Sequence, residues 1–193
     1  MDVAWALGFS ESELLSALAR QEQWAQQHLY ELHYGKMMGI CLRYAGSRDE
    51  ALDLLHESFI KVFQNIHLYR PVTSLGAWIR TIVVNTCIDH HRKTLRRRTG
   101  DIEEVQSFST QEPDALSHLT EKEILAAVQR LSPVYRAVFN LYVVEGYTHK
   151  EIAEALQITE STSRSNLMKA RAKLQAYLSH LNASPSGTNS SEA

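Results

Sequence analysis

Arg164, Ser165, Met168 and Lys169 share one face of a helix-forming segment, apart from the face that carries Leu167 and Leu174. A guanidinium, a hydroxyl and an ammonium in that arrangement can hydrogen-bond base edges in a duplex groove and neutralise phosphates. A second polar stripe lies in the first half of the chain. There Thr81, Asn85, Asp89 and Arg92 fall at helical spacing on the face of Trp78, while Ile79, Val83 and Cys87 point elsewhere. Its amide, hydroxyl and guanidinium groups suit the same chemistry, and the basic run from Arg92 to Arg98 adds charge for phosphates. Asp89 can pair with Arg92 or Lys93. A third stripe, Glu50, Asp53, Glu57, Lys61 and Gln64, steps by three and four residues. On its own that stripe reads as a solvated helix face.

The elements that position these residues follow from local patterns. Thr148 and Glu151 form a capping box, which starts a helix. Ile152, Ala153 and Leu156 make its apolar stripe, and Ile158, Leu167 and Leu174 continue it past a tight turn at Gln157-Ile158-Thr159. Helix, turn and polar second helix have the form of a helix-turn-helix, whose second helix lies in the DNA major groove. Alone, the same pattern also fits an amphipathic helical hairpin with a wet basic face.

Further capping boxes occur at Ser10…Glu13, Ser47…Glu50 and Thr120…Glu123, and Ser132-Pro133 marks one more helix start. Leu52, Leu55, Phe59, Val62, Phe63 and Ile66 build an apolar face opposite the acidic stripe. Arg70-Pro71-Val72-Thr73-Ser74 is a loop between two helices. Tyr69 stands at its edge, where the ring covers the core by default, or else stacks on a base. With prolines only at 71, 113, 133 and 185 and no alternating strand, the expected fold is all-α.

Two helical domains are expected, joined by a flexible acidic linker. Residues 10–98 form the first and 99–117 the linker. Residues 118–181 form the second, a four-helix helix-turn-helix domain. Residues 182–193 are a small, polar tail expected to be disordered. The apolar turn with Val3, Trp5, Leu7 and Phe9 is expected to pack on the first domain.

Composition narrows the function classes. The 193 residues are 44% hydrophobic with a net charge of −2, so nucleic-acid contact must come from local patches. No run approaches the roughly 20 apolar residues of a spanning helix. Met1 to Ser10 lacks a basic n-region, so a cytoplasmic protein without direct membrane insertion is expected. Cys41 and Cys87 sit among apolar residues and read as small core hydrophobes. The nine histidines make no HExxH-type ligand set, and neither metal nor cofactor is expected. Asp89-His90-His91 spells the short motif of a metal-dependent phosphoesterase family. That chemistry needs further aspartates at strand ends, and with no strands an enzyme is not expected.

Taken together, these residues resemble an extracytoplasmic-function (ECF) sigma factor, a small two-domain specificity subunit of bacterial RNA polymerase. The order Ala51-Leu52-Asp53-Leu54-x-x-Glu57-x-Phe59, then Trp78-Ile79-x-x-Ile82-x-x-Asn85-x-x-x-Asp89-x-x-Arg92, is similar to the family's second conserved region. Leu131-Ser132-Pro133-x-Tyr135-Arg136-x-Val138-Phe139 through Arg171 is similar to the fourth. The stretches from Glu145 to Ala153 and from Ser161 to Ser165 resemble sigma factors of the Bacteroidetes type.

The resemblance implies roles. Asp53, His56 and Glu57 would dock on the clamp helices of the polymerase β′ subunit, where carboxylates meet basic groups. Tyr69, the loop from Arg70 to Ser74, Trp78 and Asn85 would read the −10 element, the loop capturing a flipped base. Arg80, Arg92 and Lys93 would hold phosphates nearby. Thr162, Arg164, Ser165, Met168, Lys169 and Arg171 would face the −35 duplex. The second domain would also meet the β flap, and the linker would thread the RNA exit path. An anti-sigma factor is the implied regulator.

Departures from the family pattern bear on specificity. His56 stands where Gln is usual and Leu52 where an acid is frequent, so the clamp contact carries less charge. Ser163 replaces a common Val, Met168 a bulkier aromatic, and Tyr69 a frequent Phe. A stand-alone helix-turn-helix regulator would account for residues 132–178. It would leave the Asp53/Glu57 and Asn85/Arg92 block without a role, and it normally needs a dimer.

Overall fold

The computed structural model describes residues 10–97 and 120–183, and within them every regular element is helical. The chain divides into two units, Met1–Arg96 and Arg97–Ala193. The expected linker, the tail beyond Ala183, the N-terminal apolar turn and Arg98 lie outside the described residues.

The first unit holds α1 (Glu11–Ala19), α2 (Gln23–Tyr44), α3 (Arg48–Asn65) and α4 (Leu75–Arg97). At the start of α1 the Ser10 hydroxyl accepts the Glu13 amide while the Glu13 carboxylate takes the Ser10 amide. The start of α3 differs from the expected reciprocal box. Ser47 caps the Glu50 amide, but the Glu50 carboxylate accepts instead from the Gly46 amide, 2.6 Å away. Its other oxygen lies 3.6 Å from His90 Nδ1 on α4, so a tertiary partner draws the side chain away from the local box.

The core of this unit is Leu29, Met37 and Cys41 from α2, Leu55, Phe59 and Val62 from α3, and Ile79, Val83 and Cys87 from α4. Each large member contributes about 1.5–3 kcal/mol by leaving water. Both cysteines are buried free thiols and act as small hydrophobes. Between α3 and α4 the chain makes one 3-10 turn, Ile66–Leu68, and then the loop that ends at Ser74. The Ser74 hydroxyl accepts the Ala77 amide and starts α4.

The second unit holds α5 (Glu121–Gln129), α6 (Pro133–Phe139), α7 (His149–Leu156) and α8 (Glu160–Ala183). Thr120 and Thr148 each close a full capping box with the glutamate three residues on. Pro133 opens α6 at its first turn. The helix then widens into a π turn over Asn140–Val144, and the Tyr147 amide bonds back to the Leu141 carbonyl. Gly146 (φ 77) lets the chain turn toward α7.

The turn between α7 and α8 contains no glycine. Gln157 takes the left-handed conformation, φ 57, and the Ile158 amide returns to the Ala153 carbonyl to close α7. Thr159 then receives the Thr162 amide and starts α8. Ala127, Val128, Leu131, Ala170 and Leu174 form a core on which Tyr135, Phe139, Tyr177 and Leu178 pack. Ile152, Leu156 and Leu167 are buried where α7 meets α8.

Candidate nucleic-acid interface

In the first unit, α4 divides cleanly. Ile79, Val83, Val84, Thr86, Cys87 and Ile88 are buried, while Arg80, Thr81, Asn85 and Lys93 are exposed. Among the described residues Asn85 carries no protein hydrogen bond, so its amide is available to a ligand. Asp89 pairs with Arg92 at 3.2 Å, which settles its partner and turns that carboxylate to a structural use. Asp89, His90 and His91 all lie on this one helix.

The α3–α4 loop presents Arg70, Pro71, Val72, Thr73 and Ser74 to solvent. Tyr69 does not join them. It is 7% exposed, its ring lies 5.6 Å from that of Trp78, and its hydroxyl donates to the Thr73 carbonyl at 2.8 Å. The residue therefore braces the loop from beneath, the core-covering alternative, and offers no free face for a base. Burial pushes its phenol up, with a smaller push from Glu11. Arg70 curls back as well, donating from Nη1 to the carbonyls of His67 and Tyr69.

The acidic stripe on α3 separates into two rows. Glu50, Glu57 and Lys61 lean toward α4. Lys61 lies 2.9 Å from Glu57 and donates to the Thr86 hydroxyl at 3.2 Å. The hydrogen bond from Lys61 holds the Glu57 carboxyl below the usual carboxylate range, aided by the charges of Lys93 and His90. Asp53, His56 and Gln64 face outward, together with Ile60, which is 56% exposed. The periodicity does not mark Ile60, because an apolar residue within a polar row reads as noise. Its exposure next to carboxylates gives the row an apolar contact point of the kind a protein partner covers.

In the second unit, α8 presents Thr162, Arg164 and Arg171 to solvent, with Ser165 and Lys169 half-exposed and Met168 67% exposed. Arg164 is held by Glu160 at 2.9 Å. Arg171 sits 5.8 Å over the Tyr142 ring, and Tyr142 stacks on His149 at 4.6 Å. Ser163 is fully buried, and its hydroxyl lies 2.9 Å from His149 Nδ1. Neither Tyr142 nor His149 was visible as part of this surface in the sequence, since both precede the recognition helix and reach it only in space.

Each unit thus combines a buried helical core with an exposed polar stripe. Two family profiles match these units. Sigma-70 region 2 matches residues 29–98 and sigma-70 region 4 matches residues 115–174. Among similar proteins, the ECF RNA polymerase sigma factor SigM of Mycobacterium tuberculosis is 24% identical over 90% of this chain and 87% of its own length. The ECF RNA polymerase sigma factor SigE of Mycolicibacterium smegmatis is 30% identical over 78% of this chain and 60% of its own. Among solved structures, the sigma factor RpoE of Bartonella quintana, crystallised with the anti-sigma factor NepR, aligns with a TM-score of 0.48 at 21% identity. That alignment covers 79% of this chain and 96% of the other. The chain belongs to the sigma-70 family of RNA polymerase sigma factors. Within it, the chain is a sigma factor of the ECF class.

Proposed function

We propose that this sigma factor binds core RNA polymerase through α3 and reads a promoter through both units, α4 with its preceding loop at −10 and α8 at −35. The observation that carries the reading is the exposure of Asn85 in the middle of the α4 stripe, with no hydrogen-bond partner among the described residues and with cations five residues before it at Arg80 and seven after it at Arg92. An amide so placed can hydrogen-bond an unpaired base while the cations hold its phosphates. Trapping an unstacked base lets binding free energy drive strand opening without ATP.

Asp53 and His56, with Ile60, make the outward row that meets the β′ clamp helices, and Glu57 flanks it from the row that leans toward α4. Thr162, Arg164, Ser165, Met168, Lys169 and Arg171 face the −35 duplex, and the second unit meets the β flap. An anti-sigma factor is the expected regulator, and the site of action is the cytoplasm. No helix among the described residues is long and apolar enough to cross a membrane. The pattern from Glu145 to Ala153 and from Ser161 to Ser165 supports placement in the Bacteroidetes-type subgroup.

Run-off transcription tests the reading. Purified protein is combined with bacterial core polymerase and a genomic promoter library, and transcript 5′ ends are sequenced. Discrete starts sharing elements at −10 and −35 are expected. Sequence-specific DNA binding by the protein alone, without core-dependent initiation, is the result that overturns it.

A further inference from the structure

Tyr142 sits at the centre of the π turn that follows α6. The two valines after it face solvent, while Tyr142 itself is half-buried against α7 and α8. Its ring links three elements. His149 at the start of α7 stacks on it, with centroids 4.6 Å apart and planes inclined by 25°. Arg171 of α8 places its guanidinium carbon 5.8 Å from the ring centroid, inside the reach of about 6 Å for a cation–π contact. Tyr142, His149, Arg164 and Arg171 all line one cavity of about 340 Å³. The ring has a fixed support, because His149 is itself tied to α8 through the Ser163 hydroxyl.

Arg164 and Arg171 are seven residues apart and lie within about 20° of each other around α8. Their restraints differ. Arg164 is paired with the Glu160 carboxylate, which offsets part of its charge. Arg171 is exposed, and among the described residues it pairs with no carboxylate. An aromatic face restrains a guanidinium without neutralising it, so the full charge stays available to a phosphate. An arginine already held in place also loses less side-chain freedom when it binds.

We propose that Tyr142 is a positioning residue for promoter recognition. Its ring, fixed by the stack on His149, holds the guanidinium of Arg171 at the edge of the −35 surface, where it takes a backbone phosphate. The π turn brings that ring to α8. The proposal rests on the promoter reading above and adds to −35 binding a residue outside both helices of the helix-turn-helix.

The test uses full-length protein assembled with core polymerase and a promoter duplex recovered by run-off transcription. Arg171→Ala lowers affinity and makes the salt slope shallower by about 0.9, the value of one duplex phosphate contact. Tyr142→Leu lowers affinity about three-fold, the size of an exposed cation–π contact, and Tyr142→Phe recovers most of that loss. In the Arg171→Ala background Tyr142→Leu costs nothing further. Trifluorophenylalanine at position 142 keeps the shape of the ring but weakens its negative face, and it binds less tightly than Tyr142→Phe. That comparison decides the matter even if Tyr142→Leu does not fold. Equal losses from Tyr142→Leu with and without Arg171, a fluorinated ring that binds like Tyr142→Phe, or no effect of Arg171→Ala, overturn the positioning role. Failure of the wild-type assembly to prefer the promoter over a duplex with a scrambled −35 element overturns the promoter reading and the role with it. Preference by wild type without the Tyr142 effects overturns the role alone.

Discussion

The imidazole of His149 and the hydroxyl of Ser163 meet at 2.9 Å and tie the first helix of the helix-turn-helix to the second. His149 opens α7, and Ser163 lies one turn into α8 on its buried side. The contact is a hydrogen bond, and a hydrogen bond has an angle to keep. It therefore bears on how α8 is presented, from a fully buried hydroxyl and a half-buried imidazole.

The surroundings of the His149 imidazole should make the second unit sensitive to acid. Burial pushes the His149 imidazole below its ordinary value of 6.5, and the guanidinium groups of Arg164 and Arg171 push the same way, against Glu160. A histidine whose folded pKa is depressed favours folding while neutral. That contribution is present above about pH 6.5 and is lost as pH falls through the lower folded value. NMR titration of the full chain should show His149 titrating below 6.5. The melting temperature of the second unit should fall between pH 7 and pH 5, and His149→Gln should flatten that dependence. A His149 resonance titrating above 6.5 would contradict the burial of the imidazole beside Arg164 and Arg171.

Asn85→Ala and Lys169→Ala should fail at different steps. Asn85 is exposed, so its loss leaves folding and core binding intact but removes a base contact of about 1–3 kcal/mol. Run-off transcription should drop about ten-fold or more, with promoter opening as the affected step. Lys169→Ala should instead weaken closed-complex formation and reduce the salt slope by about 1. Wild-type transcription by both variants would remove both assignments.

Tyr69→Phe distinguishes loop bracing from base stacking. The phenylalanine ring keeps the packing on Trp78 but loses the bond to the Thr73 carbonyl, which costs about 1 kcal/mol. A few-fold loss in promoter opening is expected, measured by permanganate footprinting of the −10 strand. Stacking alone predicts no loss, because the ring is unchanged.

Gln157→Gly should stabilise the second unit. A non-glycine residue in the left-handed region costs about 1–2 kcal/mol, partly offset by the greater freedom of glycine in the unfolded chain. Calorimetry should show a rise in melting temperature, and Gln157→Val should show a fall.

Helix starts could be read from the chain because a capping box is complete within four residues. Ser10, Thr120 and Thr148 formed theirs as the pattern required. The buried faces of α3, α4 and α7 were legible for the same reason: helical periodicity assigns one side to the core whatever that core contains. The outward row on α8 and the exposed Asn85 follow as the opposite sides of those helices. Contacts between helices carry no local signature. Glu50 left its own cap for Gly46 and His90, and Lys61 turned from the solvated row to Thr86. Tyr69 went under its loop, and Ser163 found His149. Gln157 took a conformation that no residue type announced, because Ala153 and Ile158 closed the turn around it. A cleft lined by Lys36 has walls from α1, α2 and α4, so no single segment encodes it. Short-range hydrogen bonds and apolar period are properties of neighbouring residues. Partner choice among polar side chains is a competition in space, decided only once the helices have packed.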